Sequence, residues 1–138
     1  MKTDFYNAFL RHWNDAEYLY NISRWANSDQ LYAYSAECGL KCLMLLFGMY
    51  VNPTTGIPDE KDKLHIDRIW YRYETYRAGI GVSGYFISPI NPFDNWNIGQ
   101  RYANESNFDQ AWVDPHLDGA KEVKKLLNKA VLEGRLIV

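Results

Sequence analysis

Residues 30–50 read QLYAYSAECGLKCLMLLFGMY, and this stretch decides the fold. Leu31, Tyr34, Cys38, Leu45 and Met49 follow one helical face at three- and four-residue steps, and Leu40, Leu43, Met44 and Phe47 widen it. So broad an apolar surface implies a helix buried on several sides, the centre of a bundle. Gly39 lowers helix propensity by about 1 kcal/mol relative to Ala, yet it lets another helix approach closely. The helix is expected to run from Gln30 to Tyr50, with Ser28 or Asp29 as the N-cap. The loop chemistry of Asn52-Pro53-Thr54-Thr55-Gly56-Ile57-Pro58 follows it.

On the N-terminal side, Phe5, Phe9, Trp13, Ala16, Leu19, Tyr20 and Ile22 predict an amphipathic helix from Asp4 to Trp25. A short connection makes it an antiparallel neighbour of the central helix. Towards the C-terminus, Leu64, Ile66, Ile69, Trp70, Tyr73 and Tyr76 predict a third helix from Lys61 to Tyr76. Gly79, Gly81 and Gly84, then Ser88-Pro89 and Asn91-Pro92, predict roughly 25 residues of irregular chain, a length that is often functional. The same pattern also allows a short strand at Gly84 to Ser88. The last helix is expected to start at Asp114-Pro115 and to run along Leu117, Ala120, Val123, Leu127, Ala130 and Val131 to a stop at Gly134. The expected architecture is all-α, an antiparallel four- or five-helix bundle with a long irregular loop before the last helix, formed by residues 1–138 as one domain.

Composition narrows the function. The 138 residues carry 15 basic and 17 acidic side chains, a formal net charge of −2, so no overall positive field holds a phosphate backbone. A local site for one nucleotide or a structured RNA stays open, because a few well-placed Arg and Lys residues suffice. Aromatic residues make up 16% of the chain, enough for rings such as Trp13, Trp25, Trp70 and Trp96 to serve either a core or a homodimer interface. Cys38 and Cys42 lack the spacing of a zinc site and read as buried free thiols, and no metal or cofactor is expected. The N-terminus has no apolar signal core and Cys42 to Val51 is too short to span a bilayer, so a cytoplasmic chain with no membrane partner is expected.

Three groups of residues bear on chemistry. Glu37 and Lys41 lie four apart on the most apolar helix, either as an ordinary intrahelical ion pair or as part of a polar site. Lys63-Leu64-His65 opens the third helix, with His65 as either a surface residue or a ligand contact. Arg101-Tyr102 follows the polar run Asp94-Asn95-Trp96-Asn97, and the Arg101 fork suits a phosphate, a carboxylate or an acidic helix face. Gly79-Ile80-Gly81-Val82-Ser83-Gly84 lacks the strand context of a dinucleotide fingerprint, and no phosphate-binding loop, HExxH motif or nucleophile elbow is present.

This order of pieces, a Glu-x-x-Leu-Lys core helix, a Lys-x-His helix start and an Arg-Tyr before a final amphipathic helix, resembles the HEPN family, the higher eukaryote and prokaryote nucleotide-binding domains. The resemblance spans roughly Asp15 to Gly134 and rests on short motifs. It implies a four- or five-helix bundle that dimerises and acts beside a nucleotidyltransferase or in a toxin system. Many members carry Arg-Tyr-Pro, where this chain has Ala103 after Arg101-Tyr102. Ribonucleases of the family use an Arg followed five to seven residues later by His, and neither His12, His65 nor His116 has such an Arg. Without that pair, an RNA 2′-hydroxyl lacks its base and the developing phosphorane its clamp. The expected function is therefore a non-catalytic module for a nucleotide or RNA phosphate. Lys41 and Arg101 would neutralise the anion, His65 would donate to it, Tyr102 would orient it, and Glu37 would complete the site. The alternatives are a divergent metal-independent ribonuclease using His65 or His116 and a purely structural dimerisation scaffold.

Overall fold

The computed structural model describes residues 1–138 and is an all-α bundle: α1 (Phe5–Asn21), α2 (Trp25–Leu46), α3 (Ile66–Gly79) and α4 (Gln110–Leu132). Short 3-10 turns occupy Glu60–Asp62, Ile98–Tyr102 and Glu105–Asn107. There is no strand, at Gly84 to Ser88 or elsewhere; only an isolated bridge pairs Val51 with Pro58. No helix is long and apolar enough to cross a membrane.

Each of the other three helices packs principally against α2, most extensively α1, then α4, then α3. The face that carries this packing is centred on Tyr32, Ala33, Ala36, Leu40, Leu43, Met44 and Phe47. Leu31, Tyr34 and Cys38, which periodicity put at the centre, lie at its margin, and Leu45 is exposed. The cause is side-chain size. Ala33, Ala36 and Gly39 make a shallow surface that neighbouring backbones can approach, whereas the bulkier row beside it holds them off. At Gly39 an added Cβ would lie 2.5 Å from Val123 Cγ1 and 3.3 Å from Phe9 Cδ2, so α4 and α1 both close over this position.

Two helix starts differ from the expected ones, for a common reason. Ser28 and Asp29 do not cap α2, because both are buried inside its first turns. Ser28 Oγ donates to the Ala16 carbonyl at 3.0 Å, and Asp29 faces α4. Helix α4 likewise begins before Asp114-Pro115. Asp109 is its N-cap and accepts from the Trp112 amide at 2.8 Å, while Asp114 accepts from the Tyr20 hydroxyl at 2.7 Å. Pro115 stays within the helix with its ring exposed. In both places a tertiary partner takes a side chain that local rules would assign to capping. The third helix is also shorter at its start, since His65 is its N-cap and the residues before it form the 3-10 turn. At the other end α2 stops at Leu46, with Gly48 at φ +99°.

The irregular chain between α3 and α4 is pinned to the bundle. Tyr85, Phe93 and Trp96 are core residues, and the Trp70 indole donates to the Ser88 carbonyl at 2.8 Å. Asn91 Nδ2 reaches the carbonyls of Ile66 and Asp67 at 3.2 and 3.0 Å. Phe93 lies against α4 where Gly119 has no side chain, and a Cβ there would come within 2.7 Å of the ring. Cys38 and Cys42 are free thiols, and burial pushes each up to about 12.

Gly39→Ala sets a gain in helix propensity against overpacking at a stiff, buried valine. Overpacking wins, and urea unfolding is expected to show a net loss of about 1 kcal/mol. Unchanged or increased stability would mean that α4 is free to shift away from α2.

Candidate functional site

Along α2, Gln30, Tyr34, Glu37 and Lys41 follow one another at steps of four, three and four residues, a single polar stripe on an otherwise apolar helix. Trp96, from the irregular chain, lies over the middle of this stripe. Its ring is edge-on to Tyr34 and to His65, with centroids 6.3 Å apart in each case. Its indole Nε1 is buried without a hydrogen-bond partner.

On one side of Trp96 the carboxylate of Glu37 joins two cations or donors. Lys41 Nζ lies 3.2 Å from Oε2, and His65 Nδ1 lies 2.9 Å from Oε1. Glu37 and Lys41 are largely shielded, while the His65 side chain is 50% exposed. The trio fastens the start of α3 to the middle of α2. Its charges are spent on one another, because each Glu37 oxygen already faces a donor. His12 lies beside this group with its ring centroid 5.6 Å from that of Tyr34, and burial followed by the nearby Arg11 lowers its affinity for a proton.

Arg101 and Tyr102 are not part of this trio, and no hydrogen bond or ion pair joins them to Glu37, Lys41 or His65. The Arg101 guanidinium stands 4.8 Å over the Tyr102 ring and is exposed. The Tyr102 hydroxyl holds it above its ordinary pKa, and the Tyr34 hydroxyl adds a smaller push in the same direction. Asn97 and Gln100 form a reciprocal capping box that sets the 3-10 turn from which Arg101 projects.

Arg101 borders a cleft of about 780 Å³ between this turn and the start of α2, within the range of small-ligand sites. Arg24, Trp25, Ala26, Asn27 and Gln30 form its opposite wall. The N-terminus of α2 has no side-chain cap, and the amides of Trp25, Ala26 and Asn27 have no acceptor in the protein. Gln30 is nine-tenths buried; its Nε2 donates to Tyr34 Oη at 2.8 Å, and its Oε1 has no partner. Trp25 is half-buried and held edge-on against Tyr20, with ring centroids 5.2 Å apart. None of Arg24, Trp25 and Gln30 stands out in the sequence as a ligand residue. An α2 start placed at Gln30 turns the residues before it into a connection and hides a helix terminus.

Behind the cleft is a polar cluster built on two fully buried side chains, Asp29 and His116. Asp29 Oδ1 accepts from His116 Nδ1 at 2.5 Å, and both side chains are 0% exposed. Asp29 Oδ2 accepts from Gln100 Nε2 at 2.6 Å and from Trp112 Nε1 at 3.3 Å. His116 Nε2 points at Asn95 Oδ1, 2.7 Å away. The Phe93 ring is stacked on the imidazole with centroids 5.0 Å apart. His116 is thereby closed off from any substrate, and its work is to hold Asn95, Gln100 and α2 together. Nowhere do three His, Cys, Asp or Glu side chains gather in a way that would hold a metal ion.

Comparison with protein-family models, with curated proteins and with solved structures finds no match to this chain.

Removing the buried carboxylate leaves His116, Gln100 and Trp112 facing nothing. Asp29→Ala is expected to lose about 3–5 kcal/mol in chemical denaturation. The double variant Asp29→Ala/His116→Leu should lose less than the sum of the single losses. Additive losses would show that the two side chains act independently.

Proposed function

We propose that this chain is a non-catalytic, HEPN-like module that binds a nucleotide or an RNA phosphate. The observation that carries the reading is the cleft at the start of α2, where the exposed Arg101 fork faces Arg24 and an uncapped helix terminus. An arginine fork matches phosphate geometry, and a helix N-terminus adds oriented amide donors and a partial positive charge. Tyr102 orients the guanidinium by lying under it. Glu37 and Lys41 belong to the same polar stripe of α2, and of the trio only His65, half-exposed at the start of α3, is at a surface that a longer RNA would cross.

The resemblance to HEPN domains also motivates a role as a dimeric partner of a nucleotidyltransferase or toxin. The exposed apolar side chains Leu45, Leu46, Tyr50 and Ile57, around the C-terminal end of α2, favour such an association. A second reading, RNA cleavage by His65, is favoured by the half-exposed ring that Glu37 orients at 2.9 Å.

Calorimetry with nucleotides and short RNA is expected to detect binding that Arg101→Ala weakens about tenfold, the loss of a charge-assisted contact. Absence of binding to every phosphate-bearing ligand would remove the reading. RNA incubated with the protein should stay intact; metal-independent cleavage that disappears in His65→Ala would replace a binding module with a ribonuclease. Sedimentation over a range of concentrations is expected to show a dimer, and a persistent monomer removes the dimeric role.

A further inference from the structure

We infer that Gln100 is the positioning residue of the cleft. By holding the buried carboxylate of Asp29 it sets the turn from which Arg101 reaches a phosphate, so that affinity depends on a hydrogen bond the ligand never touches. The inference rests on the phosphate-binding reading above and names the residue through which the core governs that site.

The wall that carries Arg101 has few anchors of its own. No residue from Asn97 to Asn107 is buried, and Trp96 and Phe108 are the nearest core-facing residues on either side. The two 3-10 turns in this stretch are closed by local hydrogen bonds, from the Gln100 amide to the Asn97 carbonyl, from Ala103 to Gln100 and from Asn107 to Asn104. Turns this short do not hold their place unaided. Ile98 gives a partial apolar contact to the core, and the Tyr34 hydroxyl bears on Arg101 less strongly than the Tyr102 hydroxyl does. The hydrogen bond that fastens the stretch to a fully buried group runs from Gln100 Nε2 to Asp29 Oδ2, at 2.6 Å and across 71 positions of sequence.

Both ends of the Gln100 carboxamide are in use. Its oxygen accepts from the Asn97 amide at 3.5 Å as half of the capping box, and its nitrogen donates to Asp29. One group therefore closes the turn and ties it to α2. A bond to a charged acceptor shielded from water is stronger than one between neutral groups at the surface. Asp29 is itself fixed by His116 and Trp112 of α4, so a continuous chain of contacts leads from α4 through Asp29 and Gln100 to Arg101, which lines the cleft with Arg24. Glu at position 100 would set a second carboxylate against Asp29, and Met would keep the length and lose both bonds. An arginine on an unfastened turn binds only for the fraction of time that the turn is in place, and fastening it beforehand removes that loss.

Calorimetry with ATP, GTP and an oligouridylate RNA tests this on Gln100→Met, Trp112→Phe, Arg101→Ala and the double variant Gln100→Met/Arg101→Ala. Trp112→Phe removes a different donor from the same Asp29 oxygen, keeps a ring against Phe108 and His116, and lies outside the cleft lining. Gln100→Met is expected to weaken whichever of the three ligands binds about fivefold, and Trp112→Phe by less than about twofold, although both lower the midpoint of urea unfolding. In the Arg101→Ala background, Gln100→Met is expected to add less than about twofold, because its effect passes through Arg101. Hydrogen exchange without ligand gives an independent readout: the Ala103 amide should exchange faster in Gln100→Met and stay protected in Trp112→Phe. Equal losses of affinity in Gln100→Met and Trp112→Phe, unchanged affinity in Gln100→Met, or losses that multiply in the double variant overturn the inference while the phosphate-binding reading stands. Absence of binding to all three ligands by the unaltered protein removes that reading, and the inference with it.

Discussion

The carboxylate of Asp29 has no exposure to water, and the structure around the cleft is arranged to satisfy it. A buried charge without partners is costly enough to shift or unfold its surroundings. Asp29 meets that demand with three donors drawn from two different segments. His116 and Trp112 come from α4, and Gln100 comes from the 3-10 turn. One carboxylate therefore fixes the distance between α2 and α4 and the position of the turn that carries Arg101. The residue after Gln100 cannot move far while Gln100 holds Asp29. The cleft wall is thus a consequence of a core interaction, since Gln100 both lines the cleft and holds the buried Asp29.

The second constraint is that α2 must be reached from all sides. A helix with neighbours on several faces needs small residues where backbones approach, and Ala33, Ala36 and Gly39 supply them. The remaining strip of α2, from Gln30 to Lys41, is left without a helix. Trp96 and His65 cover it instead, which explains why polar side chains persist on the most apolar helix of the protein. The long connection between α3 and α4 acts as the missing wall of the bundle, held by Tyr85, Phe93 and Trp96 in the core.

The four helices were legible because burial imposes a three-to-four residue rhythm that α1, α2, α3 and α4 all keep. The Glu37–Lys41 pairing followed from spacing alone, and Gly39 could be read as a point of close approach. What could not be read were tertiary partnerships of polar residues. Ser28, Asp29 and Asp114 look like caps, since capping is the commonest local use of a short oxygen side chain. Each is instead taken up by a residue from a distant part of the sequence: Ala16, His116 and Tyr20. Moving the start of α2 back to Trp25 changes the reading of the whole region, because an uncapped helix terminus exists only when the boundary is right. That Arg101 shares no hydrogen bond or ion pair with His65 was equally invisible, since it depends on where the irregular chain before α4 folds.

The two polar regions of α2 differ in what their charges are free to do. At Glu37 the two oxygens take Lys41 and His65, so an arriving anion would have to compete with a carboxylate already in place. At the start of the helix, Arg24 has no ion-pair partner, Arg101 rests on an aromatic face, and three amides have no acceptor in the protein. A cation over a ring keeps its full charge and remains able to receive an anion on its outer edge. In a chain whose net charge is negative, attraction for a phosphate has to come from such local imbalance. The proposed site places that imbalance at the N-terminus of α2, where Arg24 and Arg101 line the cleft beside the single carboxylate of Glu105 and Asp29 is occupied by its own donors. The proposed phosphate site rests on Arg24 and Arg101 being unpaired, whereas Lys41 and His65 are already matched to Glu37.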